Sequence, residues 1–199
     1  MPRSALLVAA LLALPVPAAA AQDAPPAVPP GLSREQPISV GGETIALAEI
    51  RHWARVASAG GGSRRGRPSR AYFQQAATLL ISHGWIAGEA RALGVRVTPG
   101  QVGRALRRQV HATFRSWRGF HRFLRRNRMT FADIRLRIRV DLLSLRLRAL
   151  AIGDATGSEE QQARLDAYVQ DFAARWRAQT VCTPRFATPS SECSNAPAE

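Results

Sequence analysis

The stretch Thr130-Phe131-Ala132-Asp133-Ile134-Arg135-Leu136-Arg137-Ile138-Arg139-Val140-Asp141-Leu142-Leu143-Ser144-Leu145-Arg146-Leu147-Arg148-Ala149-Leu150 decides how this chain folds, because its first half supports two incompatible readings. From Ile134 to Leu142 apolar and charged residues alternate without a break, the pattern of a half-buried strand. Against that, Thr130 and Asp133 have the spacing of a capping box. The alternation also dissolves at Leu142-Leu143, and the segment up to Gly153 is far longer than an ordinary strand. The spacing therefore predicts a helix ending at Gly153. At 100° per residue, Ile134, Ile138, Leu142, Leu145, Ala149 and Ile152 share one stripe. Leu136, Val140, Leu143, Leu147 and Leu150 share a nearly opposite one, with arginines between. Such a helix lies between two apolar layers, or it offers the second layer to something outside.

Working outward, the neighbouring segments are helical too. Ser116 opens a helix with Trp117, Phe120 and Leu124 on one face and Phe123 at its edge. Thr98-Pro99-Gly100-Gln101 is a capping box with Pro at the first helical position, starting a helix to about Phe114. Before it, Val95-Arg96-Val97 reads as a brief extended link. Ser69 can cap a helix with the stripe Tyr72, Ala76, Leu79, His83, Ile86, Ala90 and Leu93, stopped by Gly94. Its small residues, Ala76, Ala77, Gly84, Ala87 and Gly88, allow another helix to approach closely. Leu47, Ile50, Trp53 and Val56 mark a first helix over 46–59, which Gly60–Pro68 breaks as a basic loop. Ile38 to Ile45 reads as a small hairpin turning at Gly41-Gly42. Downstream, Glu159 to about Gln179 is a last helix bearing Leu165, Tyr168, Val169, Phe172 and Trp176. The expectation is a mainly all-α domain of about six helices with a small N-terminal hairpin.

Of 199 residues, 28 are basic and 14 acidic, for a formal charge of +14, and every basic residue is Arg. That excess points to an anionic partner or surface, although an all-Arg, Ala-rich composition also fits GC-rich coding sequence. The N-terminus resembles a secretory leader: Met1-Pro2-Arg3, an apolar run Ala5–Val16, then Ala18 to Ala21. The run is too short to span a bilayer. The expectation is a signal peptide over 1–21 cleaved near Ala21, a solvated Pro-rich linker over 22–37, an ordered domain over 38–193 and a frayed tail over 194–199, all exported without a transmembrane segment. In an oxidising compartment Cys182 and Cys193 read as a disulfide rather than as a reactive thiol.

Chemistry-bearing motifs are sparse. His52, His83, His111 and His121 are dispersed, with no metal-ligand spacing, and His83 on an apolar stripe reads as a satisfied core histidine. No HExxH, P-loop or GxSxG pattern occurs, so neither a cofactor nor a metal is expected. Between Arg104 and Arg148, 14 arginines face only Asp133 and Asp141. Interleaved Phe114, Trp117, Phe120 and Phe123 suggest a stacking surface for nucleic acid, but the helical wheel places aromatics and arginines on different sides, and export disfavours that partner. A solvated basic face is the plainest reading, with weak polyanion attraction as its rival.

The order of segments resembles a known family. Leu80-Ile81 through Trp85-Ile86, Glu89-Ala90, Leu93-Gly94-Val95, Val97-Thr98 and Val102 are similar to the N-domain signature of exported parvulin-type foldase chaperones, the SurA and PrsA proteins. Phe120, Phe123-Leu124, Thr130, Asp133-Ile134-Arg135 and Leu142-Leu143 continue it. Phe172, Trp176, Thr180, Cys182, Phe186 and Cys193 are similar to the closing helix and bridge of secreted members, so the likeness spans about residues 37–193. Two features depart from the family: Ala46 stands where a capping Ser or Thr is common, and Gly153 to Ser158 leaves no room for the prolyl-isomerase domain, which needs tens of residues. The resemblance therefore implies the chaperone half alone: a compact, orthogonal helical domain completed by its last helix, a non-enzymatic holdase with an apolar groove for unfolded exported polypeptides. Trp117, Phe120, Phe123, Leu136, Val140, Leu143 and Leu147 are the candidate peptide-binding residues. Alternative partners are anionic wall or membrane polymers, or a second copy docking on the second stripe of the 130–152 helix.

Overall fold

A computed structural model describes residues 29–62, 67–188 and 191–197. The expected signal peptide, the first part of the expected linker and residues 63–66 of the basic loop lie outside the described residues. Among the described residues the chain runs β1 (Ile38–Val40), β2 (Glu43–Ile45), α1 (Leu47–Gly60), α2 (Arg70–Ala92), α3 (Pro99–Gln109), a π-helical turn (Val110–Phe114), α4 (Trp117–Arg126), α5 (Phe131–Ile152), α6 (Ser158–Ala178) and β3 (Thr180–Cys182).

The decisive stretch is a helix. Thr130 Oγ1 accepts from the Asp133 amide at 3.1 Å, and the Asp133 carboxylate accepts from the Thr130 amide at 2.6 Å. The same carboxylate takes a second donor, His52 Nε2 of α1, at 2.9 Å, so one residue starts α5 and ties it to α1. Thr98 and Gln101 close the corresponding box on α3, and Ser116 caps α4 through the Gly119 amide. Ser69 occupies the N-cap of α2 but makes no capping hydrogen bond, and Ala46 leaves α1 uncapped as its side chain requires.

α5 packs against α2, α3 and α6, which explains its two apolar stripes. Burial passes from one stripe to the other along the helix. Ile134 and Ile138 are buried in the first half and Leu143 and Leu147 in the second, while Leu145 and Leu150 face solvent, 63% and 57% exposed. The second stripe is therefore mostly core rather than a free layer for another copy of the chain. On α2 the buried residues are Ala76, Ala77, Leu80, Ile81, Trp85, Glu89 and Ala90. Ala76 and Ala90 of the expected stripe are thus buried, whereas Tyr72, Leu79, His83 and Ile86 are half-buried and Leu93 is exposed. The helix is covered on more than one side, and no single stripe describes it.

The hairpin turns through Gly41 and Gly42, both at positive φ (54° and 85°), as its tight turn needs. A third strand joins it: β3 pairs antiparallel with the far edge of β1, Ile38 opposite Cys182 and Val40 opposite Thr180, giving the order β2-β1-β3. Three residues between a helix and a cysteine carry no periodicity, so the sequence alone leaves β3 invisible. The Cys182–Cys193 disulfide is present, with Cα atoms 5.8 Å apart.

Two ends differ from expectation. Residues 29–37 are not a plain extended linker: the Leu47 amide donates to Glu35 O at 2.8 Å, the Thr183 amide donates to Pro37 O at 2.8 Å, and Pro37 is buried. Nor are residues 194–197 frayed. Ser194 donates through both its amide and its hydroxyl to Thr180 O, and the Asn195 side chain bonds both the amide and the carbonyl of Cys182. Backbone groups left open at the edge of a three-residue strand find their partners there.

The small residues of α2 do admit close neighbours. A Cβ on Gly84 would lie 3.1 Å from Val40, and one on Gly88 would fall 2.1 Å from the Trp176 ring of α6. A Gly88→Ala variant is expected to lose about 1–3 kcal/mol from overpacking, well beyond any gain in helix propensity, with a lower urea midpoint as the readout. Replacing both cysteines by Ala is expected to cost up to about 3 kcal/mol, the loop-closure value for a bridge of this span. The same denaturation series checks it.

Candidate functional site: a groove between the second and fifth helices

Gly94 ends α2 in the left-handed region at φ +67°, and the Val95 amide turns back to Ala90 O at 2.7 Å. The chain then runs without regular secondary structure to Thr98, where the α3 cap takes over. Because this link crosses beside α5 without filling the space next to it, a groove of about 670 Å³ opens between α2, the link and α5. Ala87 and Ala90 line it from α2, Val95 and Val97 from the link, and Leu136, Val140 and Leu143 from α5. The two alanines matter, since longer side chains there would close the space.

Three arginines, Arg91, Arg96 and Arg139, line the same groove and are exposed, while Ala90, Val97, Val140 and Leu143 are buried. The groove thus has an apolar floor and a cationic rim. Arg91 is paired with Glu43 of β2 at 2.6 Å. The Arg146 guanidinium donates to Arg96 O and fixes the link from the α5 side. Among the described residues, the Arg96 and Val97 amides have no backbone partner. A link whose amides lack backbone partners, beside an apolar floor, can hydrogen-bond a polypeptide backbone whatever its sequence.

His83, one turn before Ala87, also lines the groove, and its Nδ1 is buried with no hydrogen-bond partner. The expected satisfied core histidine is thus an incompletely satisfied one, packed edge-on against Trp53 with ring centroids 6.2 Å apart. Burial, reinforced by the nearby Arg137 charge and opposed by Asp141, holds its imidazole below the ordinary histidine range. The ring is neutral at neutral pH, as a group in an apolar wall should be.

The seven candidate peptide-binding residues do not form one surface. Leu136, Val140 and Leu143 come together in the groove, Leu136 half-buried and the other two as floor. Leu147 is buried further along α5. Phe120 is only 1% exposed, and Phe123 packs on Phe114 at 5.0 Å, so these two hold α4 to the π-helical turn. Trp117 alone of that trio is substantially open, at 39%. Leu147 and Phe120 are core residues away from the groove, because α5 and α4 bury the apolar sides on which they sit, whereas Val140 and Leu143 reach it only as its buried floor. The residues missed by pattern reading, Ala87, Ala90 and the Val95–Val97 link, are small or unpatterned. The sequence pattern places Ala87 and Ala90 on α2 and Val95–Val97 in a link between the Gly94 stop and the Thr98 cap, but assigns none of them a role in binding.

Among the described residues, no group of three or more His, Cys, Asp or Glu side chains is placed to hold a metal ion. No described helix is long and apolar enough to cross a membrane. The chain matches no family model, and neither curated proteins nor solved structures show significant similarity to it.

Because the folded-state pKa of His83 is depressed, the unfolded chain takes up its proton first as pH falls. The stability associated with the neutral ring is complete above about pH 6.5 and declines below it. A His83→Leu variant is expected to show a shallower loss of stability between neutral and mildly acidic pH, read from urea midpoints across that range.

Proposed function

We propose that this protein is a non-enzymatic, exported polypeptide-binding protein of the holdase type, which shields apolar segments of unfolded chains in the groove between α2 and α5. The observation that carries this reading is the combination in one place of an apolar floor, a link whose Arg96 and Val97 amides have no backbone partner and an arginine rim. The leader-like N-terminus, the disulfide and the likeness of segment order to the SurA and PrsA N-domains support it. The last helix, α6, packs back on α5 and delivers β3 to β1, as the closing helix of that segment order would.

Each 100 Å² of apolar client surface removed from water contributes about 2.5 kcal/mol, and ordering an extended client consumes part of that gain. The groove is therefore suited to weak, reversible contact, with dissociation constants above about 1 µM. Recognition rests on backbone and apolar area rather than on side-chain identity, which suits a binder of many unfolded chains.

The test is suppression of aggregation of a chemically unfolded model client, with binding of an extended apolar peptide measured in parallel. Ala87→Phe, which fills the groove, and Leu136→Asp, which makes its wall polar, are expected to weaken both by about fivefold or more. Leu145→Asp on the exposed side of α5 is expected to leave both unchanged. Absence of suppression by the unmodified protein at equimolar amounts overturns the reading, as does equal loss in Leu145→Asp.

A further inference from the structure

From Ala90 to Ala132 the chain contains no acidic residue, yet it carries eleven arginines. Seven of these lie on α3 and α4, the two helices joined through the π-helical turn. On α3, Val102 and Leu106 point into the core, leaving Arg104, Arg107 and Arg108 exposed on the other side. With His111 and Ala112 of the π-helical turn these three arginines line an open recess of about 740 Å³. On α4, Phe120 and Leu124 are buried, and Arg118, Arg122, Arg125 and Arg126 occupy the opposite, exposed arc. Among the described residues, none of these seven guanidiniums has a carboxylate within ion-pair distance. Elsewhere on the molecule the arginines Arg91, Arg164, Arg175 and Arg177 do have acidic partners.

Seven exposed like charges on two short helices repel one another, and the fold gives them no internal counter-ion. We propose that the exposed faces of α3, the π-helical turn and α4 form a binding surface for a linear phosphate polymer, separate from the groove. The guanidinium fork matches phosphate oxygens in pairs. Each helix is about 15 Å long at 1.5 Å per residue, so the surface spans several repeating phosphates rather than one. A membrane surface fits less well, since an interfacial helix needs an exposed apolar face. Here the apolar side of α4 is internal, and Trp117 is the only large hydrophobic residue of these elements that stands exposed. Base stacking also fits less well: the Trp117 ring is already stacked on Phe131 at 6.2 Å, and Phe131 is covered by the Arg135 guanidinium at 5.0 Å.

The experiment titrates the purified protein with long-chain inorganic polyphosphate at a series of salt concentrations. A surface engaging about six phosphates gives a log–log salt slope of about −4. The triple variant Arg104→Gln, Arg107→Gln, Arg108→Gln is expected to reduce that slope by about 2 and to weaken binding about tenfold at moderate salt. A control triple, Arg34→Gln, Arg51→Gln, Arg55→Gln, removes the same charge from exposed positions elsewhere and is expected to stay within about twofold of the parent. If the first triple does not fold, Arg118→Gln, Arg122→Gln, Arg126→Gln on α4 is read the same way. Equal effects of the α3 (or α4) triple and the control overturn the proposal in favour of diffuse charge. Tighter binding to phosphatidylglycerol vesicles than to polyphosphate overturns it in favour of a membrane surface. An oligonucleotide preference abolished by Trp117→Ala overturns it in favour of base recognition.

Discussion

The structure depends on one buried carboxylate. Glu89, 5% exposed in the last turns of α2, receives Trp176 Nε1 at 2.8 Å, Tyr168 Oη at 3.0 Å and an Arg175 guanidinium nitrogen at 2.7 Å, all from α6. A charge so placed is tolerable only when its oxygens are fully occupied. One turn earlier, Trp85 Nε1 donates to Thr180 Oγ1, which itself donates to Trp176 O. Gly88, between those two donors and acceptors, leaves the room that the Trp176 ring fills. Polar satisfaction and steric fit thus select the same position for α6, and β3, directly after it, is delivered to the edge of β1. Burial first, then the hydrogen bond to Glu89, pushes the Tyr168 phenol up to about 12. It remains a donor throughout the neutral range.

Much of this architecture was legible in the sequence wherever a local rule had a single physical solution. The Thr98–Gln101 and Thr130–Asp133 boxes, the Gly41-Gly42 turn and the Gly94 stop lie where their spacing put them. The strand-like alternation of 134–142 was outweighed by cap and length, and a helix covered on several sides accounts for that alternation. Less was legible where a residue's role is set by a distant partner. Glu89 looks like an ordinary surface acid on a helix until α6 is placed over it. Pro37 and Asn195 read as linker and tail, yet both complete hydrogen bonding around β3. Only part of the candidate site could be read, because a groove is made by what is missing: Ala87 and Ala90 carry no signal for the space they leave.

Aromatic and basic residues interleaved along 114–128 read as one mixed surface in the sequence. The fold separates them. Phe114, Phe120 and Phe123 pack on one another, while the arginines of α3 and α4 are turned outward. The same separation holds at the groove, where the aliphatic stems of arginines border an apolar floor. The arginines of α3 and α4 are kept off the body. The interior is held by apolar packing and by the few acids, Glu89 and Asp133, that are buried with their donors.

The antiparallel seam between β1 and β3 joins residues near position 39 to residues near position 181. A ribosome releases a chain from its N-terminal end, so the central strand of this small sheet waits, with one edge unpaired, until Thr180–Cys182 has emerged. The body therefore closes late and as a unit, rather than helix by helix during synthesis. A nascent copy stalled before Thr180 would leave that edge of β1 bare and Trp85 without the Thr180 hydroxyl that accepts its indole N–H.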